Sequence, residues 1–255
     1  MNTRMIKAEV IKLTKRRSLM AWALVLTSGA MAVTFAVLAV RHAVDPGRYG
    51  PAGGTTNFEN AAFFLANIGT AMAVLIGSSA GAGDVGAGVF RDLVATGRSR
   101  GSLFRVRYVG ALLVTLPVIL LAIGLTVVLS VALAGSAGAP SVSLIAQSAG
   151  FIVLTTCTML LVAVGLSSLI GSRAQAITAL LAVQVIVSRI LLQSSFLGHV
   201  RDALPLASLQ HFAPTGVLGR LSYATPSAVV AALVLVAWVV AALTAGAWRT
   251  RTQDA

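Results

Sequence analysis

Acid is scarce in this chain. Only seven Asp and Glu occur in 255 residues, and charged residues of both signs amount to 10%. A water-soluble domain carries about 25%, so the polar surface needed to wrap a soluble core is missing. Lysine stops at Lys15. The phosphate-cradling pattern G-x-x-x-x-G-K-[ST] therefore has no place downstream, and ATP hydrolysis by that machinery is excluded. Histidine numbers three. His42, His199 and His211 all fall between apolar runs, and no H-E-x-x-H motif is present, which argues against an intramembrane protease. The single cysteine, Cys157, forms no intramolecular disulfide and reads as a small hydrophobe inside an apolar run.

What the chain has instead is apolar length. Hydrophobic residues make up 57% and the mean hydropathy is +0.92. The runs are continuous rather than alternating, so they read as helices and not as barrel strands. In lipid only helices and closed barrels satisfy the backbone. The fold class expected is an all-α integral membrane protein with six transmembrane helices, as a single transmembrane domain over residues 1–255. The spans read as about 19–40, 61–80, 108–134, 144–170, 175–196 and 227–248. The first is too long for a signal-peptide h-region and reads as a permanent helix. Residues 41–60 read as a loop, 171–174 as a tight turn bearing Arg173, and 197–226 as an extracellular or re-entrant segment. Gly77 and Gly81 form a small-xxx-small pair suited to close helix packing.

The net charge is +12 and the pI about 11.5. Nucleic acid is the usual partner of such a charge, but these charges fall at span ends, as the positive-inside rule requires. Of the 19 Lys and Arg, fourteen fall on the side of the termini. Only Arg41, Arg48, Arg189, Arg201 and Arg220 fall on the other. Both termini are therefore expected in the cytoplasm, with no nucleic-acid partner.

Residues 3–17 place Ile6, Val10 and Leu13 on one helical face, with Lys7 and Lys12 around the rest. This reads as a basic helix lying on an anionic membrane surface, or as a charged leader that orients the first span. Residues 81–107 are the longest polar interruption between two apolar runs. Val89, Phe90, Leu93 and Val94 follow a helical period there, with Arg91 and Asp92 on the other side. The segment reads as a short helix offered to a soluble partner, or as a solvated basic loop. GAGDVG at 81–86 matches G-x-G-x-x-G, but a membrane helix precedes it where a dinucleotide site needs a strand. No cofactor is expected, and these glycines read as a break that lets the chain turn. Arg189 is the one charge well inside an apolar run. It reads as a substrate counter-ion or gate, with Gln184 beside it on a candidate substrate path, or as an arginine snorkelling to the outer interface.

Taken together, this layout resembles the membrane (permease) subunit of type-2 ABC exporters, among the small drug-, antibiotic- or bacteriocin-immunity-type permeases of the bacterial cytoplasmic membrane. The resemblance covers nearly the whole chain. It rests on six spans, on the elbow at 5–17 with its Glu9–Lys12 step, and on the loop Asp84, Gly86, Gly88, a helix over 89–95, then Gly97, Arg98, Ser99 and Arg100. Gly97 is the breaker where the family's loop often has a proline. The resemblance implies an N-terminal amphipathic elbow helix and a cytoplasmic coupling helix between the second and third spans. It also implies two copies of a separate ABC-type ATPase as partners, and a permease homodimer. Asp84, Gly86, Gly88, Phe90, Arg91, Asp92 and Leu93 would carry the coupling, with Phe90 and Leu93 in a groove of the ATPase. The implied function is export of a lipophilic or amphipathic substrate, with no catalysis on this chain. A secondary carrier or channel without an ATPase, and a membrane scaffold or sensor, are the other readings.

Overall fold

The computed structural model describes residues 3–95, 97–214 and 226–252, except the side chains of Ser195 and Phe196. Arg220, counted above among the arginines of the other side, lies outside the described residues, as do residues 215–225 of the segment expected at 197–226. Among those described there is no strand. Six helices are long and apolar enough to cross a membrane, so the chain is a multi-pass, all-helical membrane protein. Helix α1 is Thr3–Thr14. The six long helices are α2 (Arg17–Val44), α3 (Thr55–Gly86), α5 (Arg100–Ala132), α6 (Val142–Ile170), α7 (Arg173–Gln193) and α9 (Ala228–Thr252). Among the described residues, the short α-helices between them are α4 (Phe90–Ala95) and α8 (Pro205–His211).

The long helices overrun the apolar runs. α3 begins six residues before Ala61, so the loop expected at 41–60 shrinks to 45–54. It continues to Gly86, so Gly81, Gly83 and Gly86 are helical and do not make the turn expected there. The turn comes at Ala87–Val89, where Gly88 has φ +71°. α5 begins at Arg100 and takes up Arg105 and Arg107. Of the 84–100 segment expected as a coupling element, the ends thus belong to α3 and α5. Arg173 opens α7, leaving Gly171 and Ser172 as the link after α6. The reason is common to all these ends. A hydropathy window stops at a polar residue, whereas a helix stops where its backbone does. Ser99 caps α5 by accepting from Ser102 N–H at 3.3 Å, and Ser141 caps α6 by accepting from Leu144 N–H at 3.2 Å, each covering an orphan donor.

α3 and α6 form the centre and are buried along most of their length. Small residues let them touch. A Cβ on Gly77 would sit 2.8 Å from both Ala163 Cβ and Leu160 O, and Gly81 packs on Val164 and Ser167. Ser168 Oγ donates across the contact to Gly81 O at 3.1 Å. Gly165 meets Gly246 backbone to backbone, bringing α9 onto α6. Close backbone approach of this kind is the main source of helix association where lipid removes the hydrophobic drive. α2, α7 and α9 surround this centre and leave apolar residues outward, among them Val33, Val40, Val185, Ile186, Leu233 and Val236.

One end of the bundle gathers α1, the α3–α4–α5 connection and the chain's last turn, where Arg100 Nη1 donates to Arg251 O at 2.8 Å. At the opposite end the 45–54 loop closes on α5, with Gly53 N–H donating to Leu133 O at 2.8 Å and Gly54 N–H to Ser130 O at 2.9 Å.

Candidate functional site

Two polar sites stand out, one at each end of the bundle. At the end that gathers α1 and the last turn of α9, four charges meet between α1, α3 and α5. Lys12 Nζ lies 2.6 Å from Glu9 Oε2 and 2.9 Å from Asp84 Oδ1. Arg107 Nη2 reaches Asp84 Oδ2 at 3.3 Å, and Arg107 Nη1 donates to Gly81 O at 3.1 Å. Two acids face two bases, so the cluster is neutral. Its groups are deeply placed: Arg107 is 2% exposed, Asp84 6% and Glu9 8%. Burial pushes the Glu9 carboxyl above the ordinary Glu value of 4.5, with the Lys12 ammonium pulling the other way.

Local geometry explains the meeting. Glu9 and Lys12 are three apart and share a face of α1. Leu13, fully buried, anchors that face on the bundle. Gly110 of α5 makes room, since a Cβ there would sit 2.9 Å from Glu9 Cβ. Ile6 and Val10 are half-buried on the neighbouring face and border an apolar cleft with Ile11 and Leu113, while Lys7 stays exposed. Lys12, expected on the outer polar face of an elbow helix, instead turns inward to Asp84.

α4 hangs from this cluster by Phe90. Its ring lies 5.4 Å from the Arg107 guanidinium carbon and is 4% exposed, a cation–π contact. The chain's own interior thus holds Phe90, the residue expected to enter a partner's groove. Leu93 is half-buried beside a cavity of about 410 Å³ bounded also by Met5, Lys12, Asp84 and Leu103. Gly86, Gly88, Arg91 and Asp92 are exposed, and so is Val89 at 41%.

The second site lies among α3, α6, α7 and α8. Arg189 Nη2 donates to Asn67 Oδ1 at 2.8 Å, and Asn67 Nδ2 is fixed by Phe63 O at 2.8 Å. Arg189 therefore points into the bundle, against the snorkelling alternative. Together with Gln184, Thr155 and Gln210 it borders a cavity of about 60 Å³. Thr155 lies within one residue of the middle of α6, so the cavity reaches mid-span depth. α7 is a π-helix over Val183–Val187. Gln184 and Arg189 are five apart, which α-geometry separates by about 140° around the axis. The wider turn swings them toward one face.

No protein-family model matches this chain, and no curated protein matches it. The two sites must be read from their own chemistry.

Arg189 and Gln184, singled out from the sequence, are brought together in one cavity. Asp84 and Lys12 are also brought together, but in a buried ion cluster rather than on an open surface. Sequence reasoning missed Arg107 as Asp84's partner, and Asn67 and Gln210 as neighbours of Arg189. A signal for Asn67 was present, as an amide inside the second apolar run. Gln210 carried none, lying in a segment read as a connection.

Proposed function

We propose that this chain is the permease subunit of a type-2 ABC exporter in a bacterial cytoplasmic membrane, with both termini in the cytoplasm. It moves a lipophilic or amphipathic substrate, and two copies of a separate ATPase drive a pair of permeases. The observation that carries the reading is the mechanical continuity around α4. A short helix, displayed beyond the bundle, is joined by Phe90 to Arg107, by Arg107 to Asp84, and by Asp84 to Lys12 and Glu9 of α1. The coupling segment and the elbow are thereby one charge-locked piece seated on α3 and α5.

A push on α4 has two places to go. The cavity beneath Leu93 gives it room to tilt, and the Arg107–Asp84 pair passes the displacement to the ends of α3 and α5. Packed helices respond as discrete arrangements rather than by smooth bending, so a small tilt there reorients whole spans. Arg189 and Gln184, between α3, α6 and α7, line the path whose shape then changes. The surface offered to the ATPase is Gly86–Asp92, with Val89, Arg91 and Asp92 outward, rather than Phe90.

Co-expression with soluble ABC-type ATPases of the same cell tests the reading. Val89→Asp and Arg91→Glu are expected to abolish co-purification of the two subunits while the chain still inserts in the membrane. Association that survives both changes, or transport driven by an ion gradient in ATP-free vesicles, overturns it.

A further inference from the structure

Among the described residues, the cavity beside Arg189 is bordered by one positive charge and by no acid. Arg189 spends one N–H group on Asn67 and makes no other hydrogen bond among the described residues. A guanidinium has five donors in a fixed fork, so several are left unused within the fold beside the cavity that Arg189 lines. Gln210 is 6% exposed, and its Oε1 is buried without a hydrogen-bond partner. A buried amide end left unmade costs about 1–3 kcal/mol, and here it borders the same space as the free guanidinium donors.

The volume limits what enters. About 60 Å³ accommodates roughly four to six waters, or one compact head such as a phosphate or carboxylate. An apolar chain has to lie elsewhere. Next to the cavity, sharing Phe151 and Ala213 with it, is an open cleft of about 410 Å³ bordered also by Leu154, Phe212 and Pro214. The cavity holds Arg189, Gln184 and Gln210 among largely apolar walls, and the cleft beside it adds the rings of Phe151 and Phe212, with Gln147 also in its lining.

We infer that the Arg189 cavity and the Phe151–Phe212 cleft form one binding site for a single-chain anionic amphiphile, its acidic head against Arg189 and Gln210 and its tail along the cleft. The fork of Arg189 matches a phosphate or carboxylate through paired hydrogen bonds. The orphan Gln210 Oε1 is an acceptor and takes a hydroxyl hydrogen of the head, such as the P–OH of a phosphate monoester monoanion. Thr70 and Thr155 lie within the same lining. Cationic amphiphiles are rejected, because they would bring a second positive charge to Arg189 with no acid to offset it. The inference deepens the transport reading by naming its substrate class, but the binding step stands without an ATPase.

The test uses the full chain in nanodiscs of phosphatidylcholine, with radiolabelled dodecyl phosphate as probe. Saturable binding of one probe per chain is expected. Dodecyltrimethylammonium and inorganic phosphate should fail to compete at equal concentration. Arg189→Gln should weaken binding at least about tenfold, the scale of one charge-assisted hydrogen bond, with Arg189→Lys recovering part. Gln210→Leu should weaken it several-fold and serves as the second variant if Arg189→Gln misfolds. Arg41→Gln, at the other side of the 45–54 loop, should bind as the parent does. Undiminished binding in both Arg189→Gln and Gln210→Leu overturns the proposal, as does equal competition by the cation. Displacement by inorganic phosphate overturns the two-part site. Displacement by phosphatidylglycerol at bilayer concentration assigns the site to a structural lipid and overturns the single-chain claim. Binding that persists where no ATP-dependent transport is found removes the exporter reading and leaves the site. Transport of another cargo without probe binding does the reverse.

Discussion

The two polar sites differ in how far their charges are satisfied. In the Glu9–Lys12–Asp84–Arg107 cluster each charge has an opposite charge within 3.3 Å. At the other site one arginine faces amides and hydroxyls and has donors to spare. Buried charges that neutralise one another hold parts of a fold together, whereas a half-buried charge with unused donors is poised for something from outside. The same distinction separates the proposed roles: the cluster transmits force and the cavity receives a ligand.

The sharpest way to break this contrast is to remove one partner from the closed site. Asp84→Asn leaves Arg107 buried with its counter-charge gone. Breaking a buried pair costs about 3–5 kcal/mol, the largest effect expected here. It should appear as a sharp fall in the midpoint of thermal unfolding in detergent. Replacing both residues by apolar ones, as Asp84→Leu with Arg107→Met, should recover most of that loss. If Asp84→Asn is silent, the cluster is not closed and the contrast fails.

A steric change sharpens the same point without touching a charge. Gly110→Val places new carbon where Glu9 now lies against α5. Overpacking costs about 1–3 kcal/mol, and the displaced Glu9 would loosen α1 from the bundle. Protease cleavage after Lys15 or Arg16 should accelerate relative to the parent. An unchanged cleavage rate would show that α1 is held by Leu13 alone.

Much of the architecture was legible from residue order, and these two variants show where legibility ended. The six apolar runs fix six helices because each must close its own backbone hydrogen bonds in lipid. Gly77 and Gly81 announced close packing, and the step from Glu9 to Lys12 announced a shared helix face. The pairing of Asp84 with Arg107 was not readable. They are 23 positions apart with α4 between them, and both read as loop charges because hydropathy counts polarity without regard to which side of a helix faces inward. For the same reason Phe90 and Lys12 were expected outward. The Arg189 cavity was half legible: a lone charge in an apolar run stands out, but Gln210 arrives from a different stretch of chain through tertiary packing.

The open site should respond oppositely to substitution. Arg189 is half-buried and makes one hydrogen bond within the fold. Arg189→Gln should therefore cost only about 1.5 kcal/mol of stability, the low end for a hydrogen bond to a charged group, less than Asp84→Asn at the cluster, while removing anionic-ligand binding. A thermal shift as large as that of Asp84→Asn would mean that Arg189 is structural and that the two sites are alike.

The smallest effect expected concerns Glu9, whose charge is disfavoured by its burial. Desolvation raises its carboxyl above 4.5, and the nearby Asp84 charge adds to the rise, while Lys12 and Arg107 oppose it. A carboxyl whose folded value is raised holds its proton more tightly in the folded than in the unfolded chain. Its contribution is therefore fully present below pH 4.5, is lost as pH climbs through the raised folded value, and is flat above. Stability measured by denaturant titration should fall across that window in the parent. Glu9→Gln should abolish that part of the slope and leave Lys12 paired with Asp84. Lys12 would then keep one carboxylate instead of two, so the cluster changes from neutral to singly positive without losing the Asp84–Arg107 contact that carries α4. A parent and variant with identical pH profiles would place Glu9 in water and remove α1 from the locked piece, leaving α4 joined to α3 and α5 alone.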